Sequence, residues 1–151
     1  MTRVLLTGMS GAGKTTVLEG LALRGYLTVE TDVDGWTLPD GTWDEPRMTG
    51  LLAEHPEIVV SGTVANQHHF YDRFDHVVLL SAPLEILLLR VRDRTNNPYG
   101  KSAEQQAEIE HYVETVEPLL RRGATCELDG RDSVDRLVDA MEGMLTGARA
   151  I

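Results

Sequence analysis

Short apolar segments alternate along this chain with longer segments in which apolar and polar positions recur at helical spacing. The short segments are rich in β-branched residues and predict strands at 3–7, 27–30, 57–61, 76–80 and 124–128. The longer segments predict helices at 14–24, 45–55, 83–94, 102–122 and 134–145, with a weakly helical stretch at 63–74. This alternation predicts one α/β domain over residues 1–151, a three-layer α/β/α fold with a five-stranded parallel sheet.

Two residues are expected to shape the long helix predicted at 102–122. Ser102 is expected to cap its N-terminus and, with Gln105 three residues later, to form a reciprocal capping box. Pro118 has no backbone N–H, so it is expected to kink the helix near its end. The polar segment at 95–101, just before the cap, predicts a loop.

Composition favours a soluble globular protein, since 42% of the residues are hydrophobic and 25% are charged. No apolar run approaches the roughly 20 residues that a membrane-spanning helix needs, and the N-terminus lacks the layout of a signal peptide. The lone Cys126 cannot form an internal disulfide, and its apolar neighbours predict a small buried side chain. These features predict a cytoplasmic protein with no membrane partner.

The net charge of −10 narrows the range of partners. An acidic surface disfavours general nucleic-acid binding, because the phosphate backbone repels it. A nucleotide ligand is still compatible with this charge, because it needs only a few well-placed cations. The oligomeric state is left open between monomer and dimer.

Residues Gly8 to Thr15 match the complete phosphate-binding pattern G-x-x-x-x-G-K-[ST], between a predicted strand and a predicted helix. Glycines let the backbone turn so that successive N–H groups face one anion, beside the positive end of the helix. The Lys14 ammonium is expected to reach the β- and γ-phosphates, and the Thr15 hydroxyl to bind Mg²⁺. The residues predicted to contact ATP, in this segment and directly after it, are Gly8, Met9, Ser10, Gly11, Ala12, Gly13, Lys14, Thr15 and Thr16.

The sequence argues against two large classes of phosphate-loop protein. GTPases read guanine with an Asn-Lys-x-Asp segment, and the chain contains none. Motor and AAA-type ATPases use a hydrophobic strand that ends in Asp-Glu, whereas the strand predicted at 57–61 is followed by Gly62 and Thr63. A GTPase or an AAA-type motor is therefore not expected.

The order of the remaining motifs resembles the nucleoside monophosphate kinase superfamily, in its small branch similar to shikimate kinases and adenylate kinase 6. After the phosphate loop come Thr31-Asp32-Val33-Asp34 and a strand ending in Ser61-Gly62-Thr63. A helix carrying Arg90 and Arg94, a short polar loop and a strand ending in Leu128-Asp129-Gly130 follow. The resemblance covers nearly the whole chain and implies transfer of a phosphoryl group from ATP.

The resemblance also implies roles for the paired polar residues. Asp32 and Asp34 match an Asp-x-Asp pair in which the first carboxylate helps to hold Mg²⁺ and the second orients or deprotonates the acceptor. Arg90 is implied to stack on the adenine. Arg94 is implied to contact the transferring phosphate, a role that suits a guanidinium because transition-state charge spreads over several oxygens.

Three segments complete the implied site. Residues 32–56 are implied to form a short acceptor-binding insertion, and 95–101 a short lid. Lys101 is expected either to reach phosphate or to lie in solvent. Asp129 and Gly130 are implied by their position to bracket the adenine.

The acceptor half matches no single member of the superfamily. Shikimate recognition uses an arginine just before a tyrosine after the lid, whereas Tyr112 follows Glu110 and His111. AMP recognition uses arginines after the third strand and after the lid, and those regions lack them. The candidate acceptor-binding residues are Trp36, Trp43, Arg47, Asn66, Gln67 and His69. For the two tryptophans, stacking on a ligand and covering the core edge are equally open; for His69, a surface role is favoured over metal binding.

These patterns predict an ATP- and Mg²⁺-dependent phosphotransferase that acts on a small hydroxyl- or phosphate-bearing acceptor. Lys14, Asp34 and Arg94 are the predicted catalytic residues, and Thr15 and Asp32 the predicted metal ligands. The alternative is an ATP-binding assembly or regulatory factor with weak ATPase activity and no small-molecule acceptor. An inactive nucleotide sensor is disfavoured, because the charged residues of the phosphate site are all present.

Overall fold

One parallel sheet forms the centre of the protein. The structure, a computed structural model, describes residues 1–95 and 97–147. Its sheet has five strands in the order β2-β3-β1-β4-β5, and every neighbouring pair is parallel. The strands are β1 Arg3–Thr7, β2 Thr28–Glu30, β3 Ile58–Ser61, β4 His76–Ser81 and β5 Cys126–Asp129. The predicted five-stranded parallel sheet is therefore confirmed.

Six α-helices and one 3₁₀ helix connect the strands within the described residues. The α-helices are α1 Lys14–Leu23, α2 Glu45–Glu54, α3 Leu84–Asp93, α4 Ala103–Thr115, α5 Glu117–Gly123 and α6 Val134–Thr146. The weakly helical stretch is a 3₁₀ helix, Gln67–Arg73. The single helix predicted at 102–122 is wrong, because Val116 separates α4 from α5 and Pro118 falls in the first turn of α5. A proline is tolerated in a first turn because no N–H is needed there.

Two hydrophobic clusters cover the two faces of the sheet, which confirms the three-layer architecture. Val4 and Leu6 of β1 point to the face covered by α1, α3, α5 and α6. Leu5, between them, points to the opposite face, where Met48 and Leu52 of α2 pack with Phe70. Side chains alternate along a strand, so one short apolar run supplies both cores.

The predicted capping box before α4 forms only in part. The Ser102 hydroxyl accepts a hydrogen bond from the Gln105 N–H at 3.1 Å, as expected for a cap. The Gln105 side chain does not return to Ser102; its Oε1 accepts from the Gly100 N–H at 2.8 Å. Gln105 therefore ties the loop to α4 instead of closing a reciprocal box.

Trp43 is a core residue and not a surface platform for a ligand. Its side chain is fully buried, with 0% exposure. The indole N–H donates to Thr31 Oγ1 at 3.0 Å, and the ring packs edge-on against Phe70 with centroids 5.8 Å apart. Ligand stacking is therefore ruled out for Trp43, which anchors the segment between β2 and α2 under the sheet.

Cys126 was expected from its apolar neighbours to be a small buried side chain. Cys126 is partly exposed at the start of β5, so it is less buried than predicted. Partial burial, and then the Glu127 carboxylate, raise the pKa of its thiol.

Within the described residues, no helix is both long and apolar enough to cross a membrane.

Replacement of the two tryptophans should separate a core residue from a surface one. We expect Trp43→Ala to lower the free energy of unfolding by about 3–5 kcal/mol, because it leaves a large cavity and removes the indole donor to Thr31 Oγ1. We expect Trp36→Ala to cost about 1 kcal/mol, since that ring is only partly buried under Arg47. Urea unfolding followed by circular dichroism measures both; equal losses would contradict the assignment.

Candidate active site

The segment Gly8 to Thr15 forms a tight loop, hereafter the P-loop, between β1 and α1. Gly8, Gly11 and Gly13 have φ angles of 154°, 88° and 106°, which side-chain-bearing residues rarely adopt. A Cβ on Gly8 would overlap the Leu80 carbonyl oxygen, and one on Gly11 would lie 2.8 Å from the Leu87 carbonyl oxygen. Glycines are needed both for the turn and for its close approach to β4 and α3.

Lys14 points its ammonium back over the P-loop. Its Nζ donates to the carbonyl oxygen of Gly8 and, at 3.4 Å, to that of Met9. Burial lowers the pKa of Lys14 to about 8, Asp32 and Glu30 act in the opposite direction, and Arg94 lowers it further. Among the described residues, no carboxylate forms an ion pair with the ammonium, so an anion in the loop would be its natural counter-charge.

An acidic pair flanks the first turn of α1. Thr15 Oγ1 donates to Glu30 Oε1 at 2.5 Å, and Glu30 is the last residue of β2. Asp32, two residues later, lines the same cavity as Lys14 and Thr15. Sequence reasoning missed Glu30; the signal was a Glu-x-Asp pair that begins two residues before the Asp-x-Asp pair.

Asp34 lies in a different environment from Asp32. It adopts a φ of 64°, and its carbonyl oxygen accepts from Arg47 Nη1 at 2.8 Å. Arg47 also lies over the Trp36 ring, 3.9 Å from its centroid. Asp34, Trp36 and Arg47 line a cavity of about 390 Å³, hereafter the insertion cavity, which Lys14 does not reach. Lys14, Asp32 and Asp34 therefore do not share one cavity.

Arg90 holds the P-loop against the end of β5. Its Nη1 donates to the carbonyl oxygens of Gly11 and Ala12 at 3.3 and 3.2 Å, and its Nη2 to that of Gly130 at 2.7 Å. A Cβ on Gly130 would lie 2.8 Å from the Ala12 carbonyl oxygen. Glycine is therefore required at 130 for this packing.

Asp129 faces away from the P-loop. It pairs with Arg131, with Nη2 and Oδ2 2.8 Å apart, and this partner lowers the pKa of the carboxyl to about 2. The side chain is exposed and lines a cavity beside Pro83 instead of the one that contains Lys14. Of the predicted adenine-bracketing pair, Gly130 contacts the P-loop region and Asp129 points elsewhere.

The predicted lid segment packs onto the P-loop through Arg94. Arg94 Nη2 donates to Ser10 Oγ at 3.0 Å and to the Tyr99 carbonyl oxygen at 2.8 Å, and burial lowers the pKa of its guanidinium. Lys101 is exposed and donates to the Arg92 carbonyl oxygen at 2.8 Å, so it does not face the P-loop. Asn96, inside the predicted lid, and residues 148–151 of the predicted domain lie outside the described residues.

Two adjoining cavities meet at Lys14. The larger, hereafter the P-loop cavity, has a volume of about 740 Å³. Its lining includes the predicted residues Met9, Ser10, Gly11, Gly13, Lys14, Thr15, Thr16, Asp32, Arg90 and Arg94. The smaller, hereafter the lid cavity, has a volume of about 250 Å³ and lies between the P-loop, Asp32, Thr63 and the side chains of Tyr99, Ile109 and Tyr112. Gly8, Lys14 and Asp32 are among its lining residues.

The other predicted acceptor residues have structural partners. Gln67 is buried and bonds to Thr7 Oγ1 at 3.1 Å and to the Tyr71 hydroxyl at 3.0 Å. Asn66 and His69 both bond to Glu45 Oε2, at 2.9 and 2.8 Å. These residues fix the segment that follows β3 and lie outside both cavities at Lys14.

The adjacent histidines do not diverge as a regular α-helix would place them. The rings of His68 and His69, on the 3₁₀ helix after β3, lie edge to face with centroids 4.3 Å apart. Nonetheless, no group of three or more His, Cys, Asp or Glu side chains among the described residues could hold a metal ion.

The site is built on a fold that other proteins share. A family model described as an AAA domain matches residues 4–111, which include the P-loop, Arg90, Arg94 and most of α4. A shikimate kinase from Rhodopseudomonas palustris is 27% identical over 169 residues, covering 96% of this chain and 83% of that protein.

Solved structures match over almost the full chain. A shikimate kinase from Acinetobacter baumannii, in complex with shikimate, has a TM-score of 0.70 at 23% identity, over 99% of this chain and 96% of that one. A gluconokinase from Sinorhizobium meliloti has a TM-score of 0.62 at 20% identity, over 97% of this chain and 90% of that one. All three similar proteins are kinases, which supports the prediction of a phosphotransferase.

The comparisons confirm the resemblance to small P-loop kinases similar to shikimate kinases. The strand feature by which AAA-type motors were set aside is also present, since β3 ends at Ser61, and Gly62 and Thr63 follow without a carboxylate. The chain belongs to the P-loop family described as an AAA domain, and its fold is that of the shikimate kinases.

Proposed function

We propose that the protein transfers the γ-phosphoryl group of ATP, in a Mg²⁺-dependent reaction, to a hydroxyl group of a small molecule. One observation carries the proposal: Lys14 and Asp32 line both the P-loop cavity and the lid cavity. A kinase needs such a junction, because donor and acceptor must meet where charge is neutralised and the acceptor proton is taken.

The P-loop cavity is the proposed donor site. The P-loop N–H groups and the N-terminus of α1 would bind the phosphates, with the Lys14 ammonium over the β- and γ-phosphates. Arg90 and Gly130 would flank the adenine, because Arg90 lines the cavity and donates to the Gly130 carbonyl. Asp129 would contribute only through its backbone, since its carboxylate is paired with Arg131.

A Mg²⁺ site fits the residues beside the phosphates. Mg²⁺ prefers oxygen ligands and is commonly held by one or two carboxylates together with substrate phosphates. Thr15 Oγ1 and Glu30 Oε1 lie 2.5 Å apart, and Asp32 lines the same cavity. We assign Thr15 and Glu30 to the metal, with Asp32 next to them. The bound ion would neutralise charge on the transferring phosphate.

Asp32 is the proposed acceptor-orienting residue, in place of Asp34. The acceptor oxygen attacks the γ-phosphorus, the new phosphorus–oxygen bond forms, and the bond to the β–γ bridging oxygen breaks to release ADP. The proton of the acceptor hydroxyl passes to the Asp32 carboxylate. Lys14 and Arg94 would offset negative charge on the phosphate oxygens, and Arg94 reaches this region through Ser10.

The lid cavity favours a kinase over an assembly or regulatory factor. Such a factor would need the P-loop cavity alone. Here a second cavity of about 250 Å³ opens beside Lys14 and contains both a carboxylate and a hydroxyl, those of Asp32 and Thr63. Similarity to kinases of small molecules agrees with this preference.

Replacement of the three carboxylates tests the proposal and its assignment of roles. We expect Glu30→Gln and Asp32→Asn to lower ADP release from ATP and Mg²⁺ by about 10²-fold or more, in the presence of pooled hydroxylated small molecules. We expect the matched control, Asp34→Asn, to stay within about threefold of wild type, because Asp34 lines neither of the two cavities at Lys14. A loss in Asp34→Asn as large as that in Asp32→Asn would contradict the roles. If wild type releases no ADP that a metal chelator can abolish, the proposed function is contradicted.

The pH dependence of ATP binding should report on Lys14. Burial lowers its pKa to about 8 in the free protein, and the phosphates of bound ATP favour the protonated form. ATP affinity should therefore be constant below this pKa and fall by up to about tenfold per pH unit above it, because binding must then take up a proton. Calorimetric titration between pH 6.5 and pH 9.5, on the order of one unit either side of that value, measures the profile.

Arginine provides the matched control for this pH profile. In Lys14→Arg the charge persists across the whole range, so any residual ATP affinity should not decline above the Lys14 pKa. A wild-type affinity that stays flat to the upper pH limit would contradict the assigned protonation change.

A further inference from the structure

We propose that the lid cavity accepts an uncharged, hydroxyl-bearing small molecule of the polyol or sugar class, and discriminates against acceptors that carry a carboxylate or a phosphate. This inference rests on the proposed function, because it concerns the acceptor side of the same site. It is carried by the charges, the shape and the side chains of the lid cavity.

The charges inside the lid cavity cancel one another. Among the described residues that line it, Lys14 is the single lysine or arginine and Asp32 the single carboxylate. The Lys14 ammonium bonds to the carbonyl oxygens of Gly8 and Met9, which both line this cavity, and in the proposed reaction it serves the ATP phosphates. An anionic acceptor would therefore have no cation other than this shared ammonium, and Asp32 would repel it.

The helix above the cavity strengthens this selection. Helix α4 contributes Ile109 and Tyr112 to the lining. Its thirteen residues contain no lysine or arginine and carry four carboxylates, at Glu104, Glu108, Glu110 and Glu114. These acidic groups lower the local concentration of an anionic acceptor and leave a neutral one unaffected.

Arg94 and Arg47 line other cavities. Arg94 donates to Ser10 Oγ and the Tyr99 carbonyl oxygen, and it lines the P-loop cavity. Arg47 donates to the carbonyl oxygens of Asp34 and Gly35, each at 2.8 Å, and lines the insertion cavity. Neither guanidinium lines the lid cavity, so neither forms the planar, two-point contact that carboxylates and phosphates favour.

The walls of the cavity suit a small polyhydroxylated ring or chain. Tyr99, Ile109 and Tyr112 present aromatic and apolar surface against which C–H faces can pack. The Tyr99 phenol donates to Glu108 Oε1 at 2.5 Å, which fixes its ring. The Asp32 carboxylate is available for acceptor hydroxyls, whereas the Thr63 hydroxyl already bonds to the backbone of Gly8 and to Thr7 Oγ1. A volume of about 250 Å³ corresponds to about eight waters at roughly 30 Å³ each, so the acceptor is small.

Matched pairs of acceptors that differ in charge test the inference on the 151-residue protein. The pairs are D-glucitol and D-gluconate, D-ribose and D-ribose 5-phosphate, and methyl shikimate and shikimate. We expect ADP release above the water background with the neutral member of at least one pair, about tenfold faster than with its anionic partner. Faster release with the anionic member of any pair, or no stimulation by any neutral member, would overturn the inference.

A charge placed on the cavity wall gives a second, independent readout. Tyr112 is 41% exposed, so Tyr112→Arg should fold, and it places a guanidinium on the lid cavity. We expect the ratio of anionic to neutral turnover to rise by about tenfold or more in this variant. In the matched control, His111→Arg, the exposed neighbour lies outside the cavity lining and the ratio should not change. An unchanged ratio in Tyr112→Arg would count against the inference.

Binding of ATP and its hydrolysis to water, measured in the same samples, separate the two levels of the proposal. If wild type neither binds nor hydrolyses ATP, the proposed function fails. If it binds and hydrolyses ATP but prefers anionic acceptors, only the inference about the acceptor fails.

Discussion

The site depends on the close packing of the P-loop backbone against β4, α3 and the turn after β5. Gly8, Gly11 and Gly130 each approach a backbone carbonyl so closely that a side chain would be in steric conflict with it. Arg90 then joins the P-loop and that turn through three carbonyl oxygens. Because these contacts involve backbone atoms, the loop has its shape before any ligand arrives, and its N–H groups need little reorganisation to bind phosphate.

Electrostatics then distinguish the two cavities that meet at Lys14. The P-loop cavity gathers Lys14, Arg90 and Arg94 with three carboxylates, those of Glu30, Asp32 and Asp93, which suits a polyanion bound together with a metal ion. The lid cavity has one ammonium and one carboxylate under an acidic helix, which suits a neutral molecule. Burial already lowers the Lys14 pKa, so bound phosphate would restore a charge that the free protein disfavours. In the proposed reaction, donor and acceptor would thus be separated by charge at a single lysine.

The fold and the P-loop were predictable, because apolar strand segments and a complete glycine–lysine motif are local signals. The position of Glu30 beside Asp32 in the site was not predictable, because the hydrogen bond between Glu30 and Thr15 depends on where β2 ends relative to α1. Trp43 was also ambiguous, since its partners Thr31 and Phe70 are distant in sequence and its own segment is polar. The break between α4 and α5 follows from the proline's preference for a first turn, which only packing resolves.

The most direct test of the central claim is calorimetric titration of Mg²⁺·ATP into wild type and Lys14→Ala, at a pH near 7 where Lys14 is mostly protonated. The account predicts saturable binding to wild type and a loss of about 10²-fold or more in the variant, because the phosphates lose their principal cation. Unfolding of both proteins in the absence of nucleotide shows whether the variant is folded. A folded Lys14→Ala that binds and hydrolyses ATP like wild type would contradict the account.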